Sequence, residues 1–202
     1  MVSLARQLQR LQNYYWEARL GVTTRGFVTF DEADQYPYSM TSYPAIVSVL
    51  RRVQPTPNDV FVDLGCGMGR VLACAARMPM HEVVGVEMSE ALCAIAQRNA
   101  RKLRKGKTPI RIICGKAQAF DFSHTTILYM YNPFGRETLQ QVLRDLVSSW
   151  KGTARVIRIC YVNPVHEDVF AQFDQLERFD RWEPGSRWGL EHPVSFWSTV
   201  RG

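Results

Sequence analysis

The sequence predicts an α/β domain: a seven-stranded, mainly parallel sheet with helices on both faces, preceded by an N-terminal helical extension. Three observations carry that prediction. Short β-rich runs alternate with helical stretches along most of the chain. The first such run ends in a glycine-rich loop. The last two runs follow one another with no long helix between them. Strands separated by helices imply right-handed crossovers and parallel pairing. Two consecutive closing strands imply one antiparallel member near the end of the sheet.

The elements follow in order. Leu4, Leu8, Leu11 and Tyr15 recur at helical spacing, so the first twenty residues read as an amphipathic helix. Residues 21–42 read as irregular. Ser42 and Pro44 form a cap and first-turn pair for a helix over Ala45 to Val53. After a proline-rich linker come a strand over Val60 to Leu64, a small-residue helix from Arg70 to Met78, and a strand from Glu82 to Glu87. Ser89 caps a helix that reaches Lys102. Strands follow over Ile110 to Cys114 and Thr125 to Tyr131. A helix from Arg136 to Trp150 carries Leu139, Val142, Leu143 and Leu146 on one face. Arg155 to Val162 reads as a strand, Val165 to Phe173 as a short helix, and Leu176 to Trp182 and Val194 to Val200 as the closing strands. The division is an extension over 1–42 and a domain over 43–202.

Composition bounds the rest. The chain has 202 residues, 46% of them hydrophobic and 22% charged, which excludes a mainly disordered protein. No apolar run is long enough to predict membrane insertion, and the start does not pattern as a signal peptide. Five cysteines, with no C-x-x-C pair, read as reduced thiols of a cytoplasmic protein. The four histidines lack metal-ligand spacing, so no metal is expected. The net charge of +6 permits an acidic partner without requiring one.

The loop after the first strand, Asp63-Leu64-Gly65-Cys66-Gly67-Met68-Gly69-Arg70, holds the most chemistry. In such sheets ligands bind outside the carboxyl ends of the strands. Alternating glycines let a ligand approach the backbone. A dinucleotide fingerprint has its third glycine where this chain has Arg70, and a carboxylate at Asp63 repels a pyrophosphate. Asp63 suits a ligand with an ammonium group. Glu87, about 20 residues further on, stands where an acid hydrogen-bonds ribose hydroxyls. The ligand therefore looks like a nucleoside carrying an amino acid.

Val60 to Leu72 (VFVDLGCGMGRVL) and Val83 to Glu87 (VVGVE) resemble the first two motifs of class I S-adenosylmethionine-dependent methyltransferases, which have a Rossmann-like fold. The resemblance covers about residues 36–202. It implies S-adenosyl-L-methionine as cofactor. Asp63 would reach the methionine amino group, Gly65, Cys66 and Gly67 would line the methionine moiety, Glu87 would hold the ribose, and Met88 would pack on adenine. The third motif departs from the family: Gly115-Lys116-Ala117-Gln118 has a lysine where an acid is common, and Lys116 cannot accept a hydrogen bond. The Ala117 backbone or the Gln118 side chain would then meet the adenine amino group.

Two further stretches concern the methyl acceptor and the methionine tail. Asn132-Pro133-Phe134 resembles the N/D-P-P-Y/F motif of amino-directed methyltransferases, shortened by one residue. The resemblance makes Asn132 the substrate-orienting residue and Phe134 the pocket wall. Tyr38-Ser39-Met40-Thr41-Ser42-Tyr43 is similar to the Y-x-P-T-x-Y segment of non-SET lysine methyltransferases, with Met40 replacing proline. There Tyr38, Thr41 and Tyr43 would offer hydroxyls to the methionine carboxylate. His166, beyond the fifth strand, reads as a helix-flanking residue rather than a base.

Six of the ten residues from Arg98 to Lys107 are basic. The run falls at the amino edge of the sheet, away from the pocket, and no aromatic residues interleave with it. A solvated face is expected rather than a nucleic-acid surface. Function then reads as N-methylation of an amine such as a protein lysine. The alternatives are a small-molecule N- or O-methyltransferase and a non-catalytic S-adenosylmethionine-binding module. The N-terminal helix, with Tyr14, Tyr15 and Trp16, would cover the pocket mouth or make a dimer contact. The acceptor, protein or small molecule, and the oligomeric state stay open.

Overall fold

A computed structural model describes residues 4–25, 41–185 and 189–200. The helices are α1 (Leu4–Leu20), α2 (Tyr43–Arg52), α3 (Arg70–Ala75), α4 (Glu90–Lys102) and α5 (Arg136–Trp150). The strands are β1 (Val60–Leu64), β2 (Glu82–Glu87), β3 (Ile110–Cys114), β4 (Ile127–Tyr131), β5 (Arg158–Val162), β6 (Leu176–Trp182) and β7 (Val194–Thr199). They form one sheet in the order β3-β2-β1-β4-β5-β7-β6. The first five strands pair in parallel, and β7 runs antiparallel to both β5 and β6. The seven-stranded, mainly parallel sheet is the predicted one. Strand order reverses between β1 and β4, which makes their carboxyl ends the place for a ligand.

Alternate residues of each strand feed two cores. Phe61, Val83, Ile127 and Tyr129 face the layer of α2 and α3. Val62, Val84, Leu128 and Ile159 face α5, whose Leu139, Val142, Leu143 and Leu146 are buried as predicted. The period of two along each strand sets this division.

Helix starts follow local chemistry. Ser42 Oγ accepts from Ala45 N at 3.3 Å and Pro44 sits in the first turn of α2. Ser89 Oγ accepts from Leu92 N at 3.4 Å at the start of α4. Several predicted ends shift. Helix α3 stops at Ala75, not Met78. Strand β4 starts at Ile127 rather than Thr125, and β5 at Arg158 rather than Arg155. The stretch predicted as a helix over Val165 to Phe173 is a 3₁₀ turn, Glu167–Gln172.

The amino edge is tied by charge. Asp59, just before β1, accepts from Thr56 N, Thr56 Oγ1 and Thr126 Oγ1 and pairs with Arg158 of β5. The basic run lies at this edge as well. Arg104 N donates to Leu20 O, the last carbonyl of α1, at 2.8 Å, and Lys107 N donates to Ala76 O, just past α3, at 2.7 Å. The run therefore receives the negative ends of three helices, counting α4, where cations are favoured.

The periodic stripe of helix α1 faces outward. Leu8, Leu11 and Tyr15, which define its periodicity, are exposed. Its inward contacts come from Trp16, stacked on Tyr43 with centroids 5.7 Å apart, and from the buried Glu17 and Leu20. Tyr14 lies under the Arg25 guanidinium. Among the described residues no helix is long and apolar enough to cross a membrane.

Candidate active site

The loop between β1 and α3 is folded back by its glycines. Gly65, Gly67 and Gly69 have φ of 76°, 53° and 83°, a region open to glycine and costly for other residues. Gly65 N and Cys66 N donate to Val86 O at 2.8 and 3.1 Å, which seats the loop over the end of β2. A Cβ on Gly65 would stand 2.8 Å from Pro133 Cβ. The glycine loop and the Asn132-Pro133-Phe134 turn are thus in direct contact, across the point where the strand order reverses.

Glu87 ends β2 with its carboxylate turned to this loop. Gly67 N donates to Oε2 and Ser89 N to Oε1, both at 2.9 Å. Asp63 is 3% exposed, and no hydrogen bond from a described residue reaches its carboxylate. Burial raises its pKa well above the ordinary 3.8, and the neighbouring Glu87 raises it further. Asp59 is equally buried but surrounded by donors and an arginine, so it is structural. Among the described residues Asp63 has no cation or hydrogen-bond donor beside its carboxylate.

Asn132 is 3% exposed and takes φ of 37° directly before Pro133. Asparagine tolerates this left-handed region better than most residues. Its Oδ1 accepts from Tyr161 Oη of β5 at 3.1 Å. Phe134 is buried in the α5 core. Met88 is half-buried beside Glu87. Beyond β3, Ala117 is half-buried, while Gln118 is exposed and donates to Thr138 Oγ1 of α5 at 3.3 Å.

Of the segment before α2, Tyr38 lies outside the described residues. Thr41 O accepts from Arg70 at 3.0 Å. Tyr43 corrects the expectation: it is fully buried, its hydroxyl is 3.1 Å from Thr24 Oγ1, and burial pushes its pKa up to about 12. It is a core residue. Arg70 is the residue that sequence reasoning passed over. It is 3% exposed, donates to Thr24 Oγ1 at 2.8 Å and lies 3.6 Å from Glu17 of α1. A charged residue in an otherwise apolar helix start is the signal that a buried partner exists elsewhere. His166 flanks the 3₁₀ turn as expected, and its backbone N–H donates to Tyr161 Oη at 3.4 Å.

Four cysteines are buried and Cys114 is exposed. Burial pushes the thiols of Cys74 and Cys93 up to about 12 and also raises Cys66 and Cys160. Cys114 is the register partner of Glu87.

The family model described as histone methylation protein DOT1 matches residues 23–178. The chain belongs to the DOT1 family. Its fold is that of class I S-adenosylmethionine-dependent methyltransferases. The match includes the glycine loop, Glu87 and the Asn132 turn. A histone-lysine N-methyltransferase, H3 lysine-79 specific, from Dictyostelium discoideum is 37% identical over 95 residues, 40% of this chain and 5% of that protein. A protein-lysine N-methyltransferase from Saccharolobus islandicus is 30% identical over 97 residues, 47% of this chain and 59% of that one. The chain spans 59% or less of the length of the curated relatives it matches here. An RNA methyltransferase from Salinibacter ruber, solved with S-adenosyl-L-homocysteine, has a TM-score of 0.56 at 23% identity, covering 81% of this chain and 95% of that one. That likeness is one of fold.

The residues of this DOT1-family site fit S-adenosylmethionine. A buried carboxylate without a cation matches the ligand's ammonium group. A second carboxylate, fixed by two backbone N–H groups, retains lone pairs for ribose hydroxyls.

Proposed function

We propose that this chain transfers the methyl group of S-adenosylmethionine to the side-chain amine of a lysine in a protein. The observation that carries the reading is the buried Asp63, without a partner among the described residues, beside a glycine loop that touches the Asn132-Pro133-Phe134 turn, within a DOT1-family chain. The names of the two lysine-methyltransferase relatives support the choice of acceptor.

The bound cofactor supplies an electrophilic methyl group on a sulfonium. The chain's residues do the rest. Asp63 pairs with the methionine ammonium, and Gly65, Cys66 and Gly67 let the methionine moiety lie against the backbone. Glu87 accepts from the ribose, Met88 packs on the base, and Ala117 and Gln118 border its far side. Thr41, with Tyr38, belongs to the methionine carboxylate. Asn132 accepts an N–H of the neutral acceptor amine, which leaves the nitrogen lone pair free for an in-line attack, and Phe134 walls the acceptor from water. Such an arrangement acts by positioning and by excluding solvent. The free thiols suit a reducing, cytoplasmic setting.

Titration calorimetry with S-adenosylhomocysteine, with NAD as control, tests the cofactor site. The expected result is binding of micromolar order to the wild type, no binding of NAD, and affinity about tenfold or more weaker in Glu87→Ala (roughly 1.4 kcal/mol). Radiolabel transfer to histone H3 and to poly-L-lysine, with mass spectrometry of the product, tests the acceptor. Folded protein that ignores the nucleoside, or label found only off lysine, would overturn the reading.

A further inference from the structure

The carboxyl ends of β4 and β5 are built alike. Asn132-Pro133 follows β4 and Asn163-Pro164 follows β5, and both asparagines take left-handed φ, 37° and 52°. Tyr131 and Val162 are register partners, so the two turns leave the sheet side by side. The link between them is Tyr161. It is 1% exposed and lies opposite Met130 of β4.

Its hydroxyl bonds to both turns. The backbone N–H of His166, beyond the second turn, donates to Tyr161 Oη at 3.4 Å, and Tyr161 Oη donates to Asn132 Oδ1 at 3.1 Å. A backbone N–H can only donate, so it occupies one lone pair of the phenol and leaves the phenolic proton for Asn132. The ring itself has little freedom. It stacks on Phe170 with centroids 5.7 Å apart and planes at 25°, and Phe170 stacks on Trp197 of β7 at 4.7 Å and 27°. Neighbours from the 3₁₀ turn and from β7 thus hold the hydroxyl in place.

We propose that Tyr161 is a positioning residue for methyl transfer: its hydroxyl orients the Asn132 carboxamide so that the second lone pair of Oδ1 meets the acceptor amine. This rests on the reading that Asn132 orients the acceptor. An amide oxygen has two acceptor sites. Tyr161 fills the one turned toward the core, and the other is set before any acceptor arrives. Without the hydroxyl the short Asn132 side chain rotates about its terminal torsion, and small displacements of an orienting group lower rates steeply. Tyr161 is 1% exposed, so its effect on transfer runs through Asn132.

Tyr161→Phe tests this because it keeps the ring stack and deletes the hydroxyl. The full chain is assayed for transfer to histone H3 and poly-L-lysine alongside Asn132→Ala and the double variant. The expected result for Tyr161→Phe is a kcat lowered about tenfold or more (roughly 1.4 kcal/mol), with the KM for S-adenosylmethionine and the S-adenosylhomocysteine affinity unchanged. The double variant should be no slower than Asn132→Ala. Loss of transfer in Asn132→Ala with Tyr161→Phe at the wild-type rate overturns the proposal and leaves the Asn132 reading standing. Wild-type rates in both variants overturn both. A second readout needs no turnover. In ¹⁵N spectra the Asn132 carboxamide protons are expected to exchange slowly with water, and to shift and exchange faster in Tyr161→Phe. Carboxamide signals that are the same in the two proteins sink the proposal whatever the assay shows.

Discussion

Replacing Arg70 with alanine is expected to lower the unfolding free energy by about 3 kcal/mol, the low end for breaking a buried ion pair, because Arg25 still pairs with Glu17. Arg70 and Glu17 are each 3% exposed, and their charged atoms stand 3.6 Å apart. Thr24 completes the cluster. Its Oγ1 donates to Glu17 at 2.9 Å and accepts from Arg70 at 2.8 Å, so the Tyr43 hydroxyl is left to donate to it. Deleting the guanidinium removes one of two cations beside Glu17 and leaves Thr24 Oγ1 and Thr41 O without their donor, while Arg25 stays paired with the carboxylate at 2.5 Å. A loss of this size is about a fifth or more of the stability of a typical domain. Urea denaturation measures it. Glu17→Gln combined with Arg70→Met, which removes both charges and keeps the volume, should recover most of the loss. If the double variant is as unstable as Arg70→Ala, packing around the guanidinium matters more than its charge. The cluster also joins the last residue of the glycine loop to α1 and to Thr41, so the extension and the cofactor loop are expected to loosen together.

Asp63→Asn should move stability and binding in opposite directions. The folded apo protein holds the Asp63 pKa well above its ordinary value, by burial first and by Glu87 second. A raised folded pKa means that its contribution to stability is complete below the unfolded value near 3.8 and is lost as pH rises through the folded value. At neutral pH the wild-type apo protein therefore carries an electrostatic cost that asparagine lacks. The variant is expected to be more stable at neutral pH, with the difference vanishing in acid. Binding changes the other way. The ligand's ammonium supplies the missing cation, so wild-type affinity for S-adenosylhomocysteine should rise with pH across the Asp63 titration, with release of a proton. The variant should bind about 10- to 100-fold more weakly (roughly 1.4–2.7 kcal/mol) and release none. Calorimetry in buffers of different ionisation enthalpy counts the protons directly. Equal affinity and equal proton release in the two proteins would remove Asp63 from the ammonium site.

Much of this site is legible in the chain because its determinants are local. The glycine alternation, the acid two residues before it and Glu87 at the end of the next strand depend on turns and on strand register, and both follow from short-range pattern. Asn132 is legible for the same reason, since an Asn-Pro pair ending an apolar strand marks an edge. What the chain does not display is partnership across long separations. Tyr161 reads as one more apolar strand residue, and its bond to Asn132 exists only because β4 and β5 are neighbours. Arg70 reads as a misplaced glycine until Glu17 is brought beside it. Tyr43 reads as a hydroxyl donor for the ligand, but Trp16 of α1 covers its ring. Helix α1 itself misleads because its periodic apolar stripe is the exposed one, while a buried acid docks it. The shifted ends of α3, β4 and β5 are ordinary fraying of pattern at boundaries.

The uneven burial of the thiols turns the native chain into its own sensor. The thiolate is the reactive form, and burial suppresses it in Cys66, Cys74, Cys93 and Cys160. A maleimide dye added to the folded protein therefore attaches at Cys114. That position is one strand across from Glu87, the residue proposed to hold the ribose. On the proposed reading, a dye at Cys114 reports binding of S-adenosylhomocysteine optically on unmutated protein.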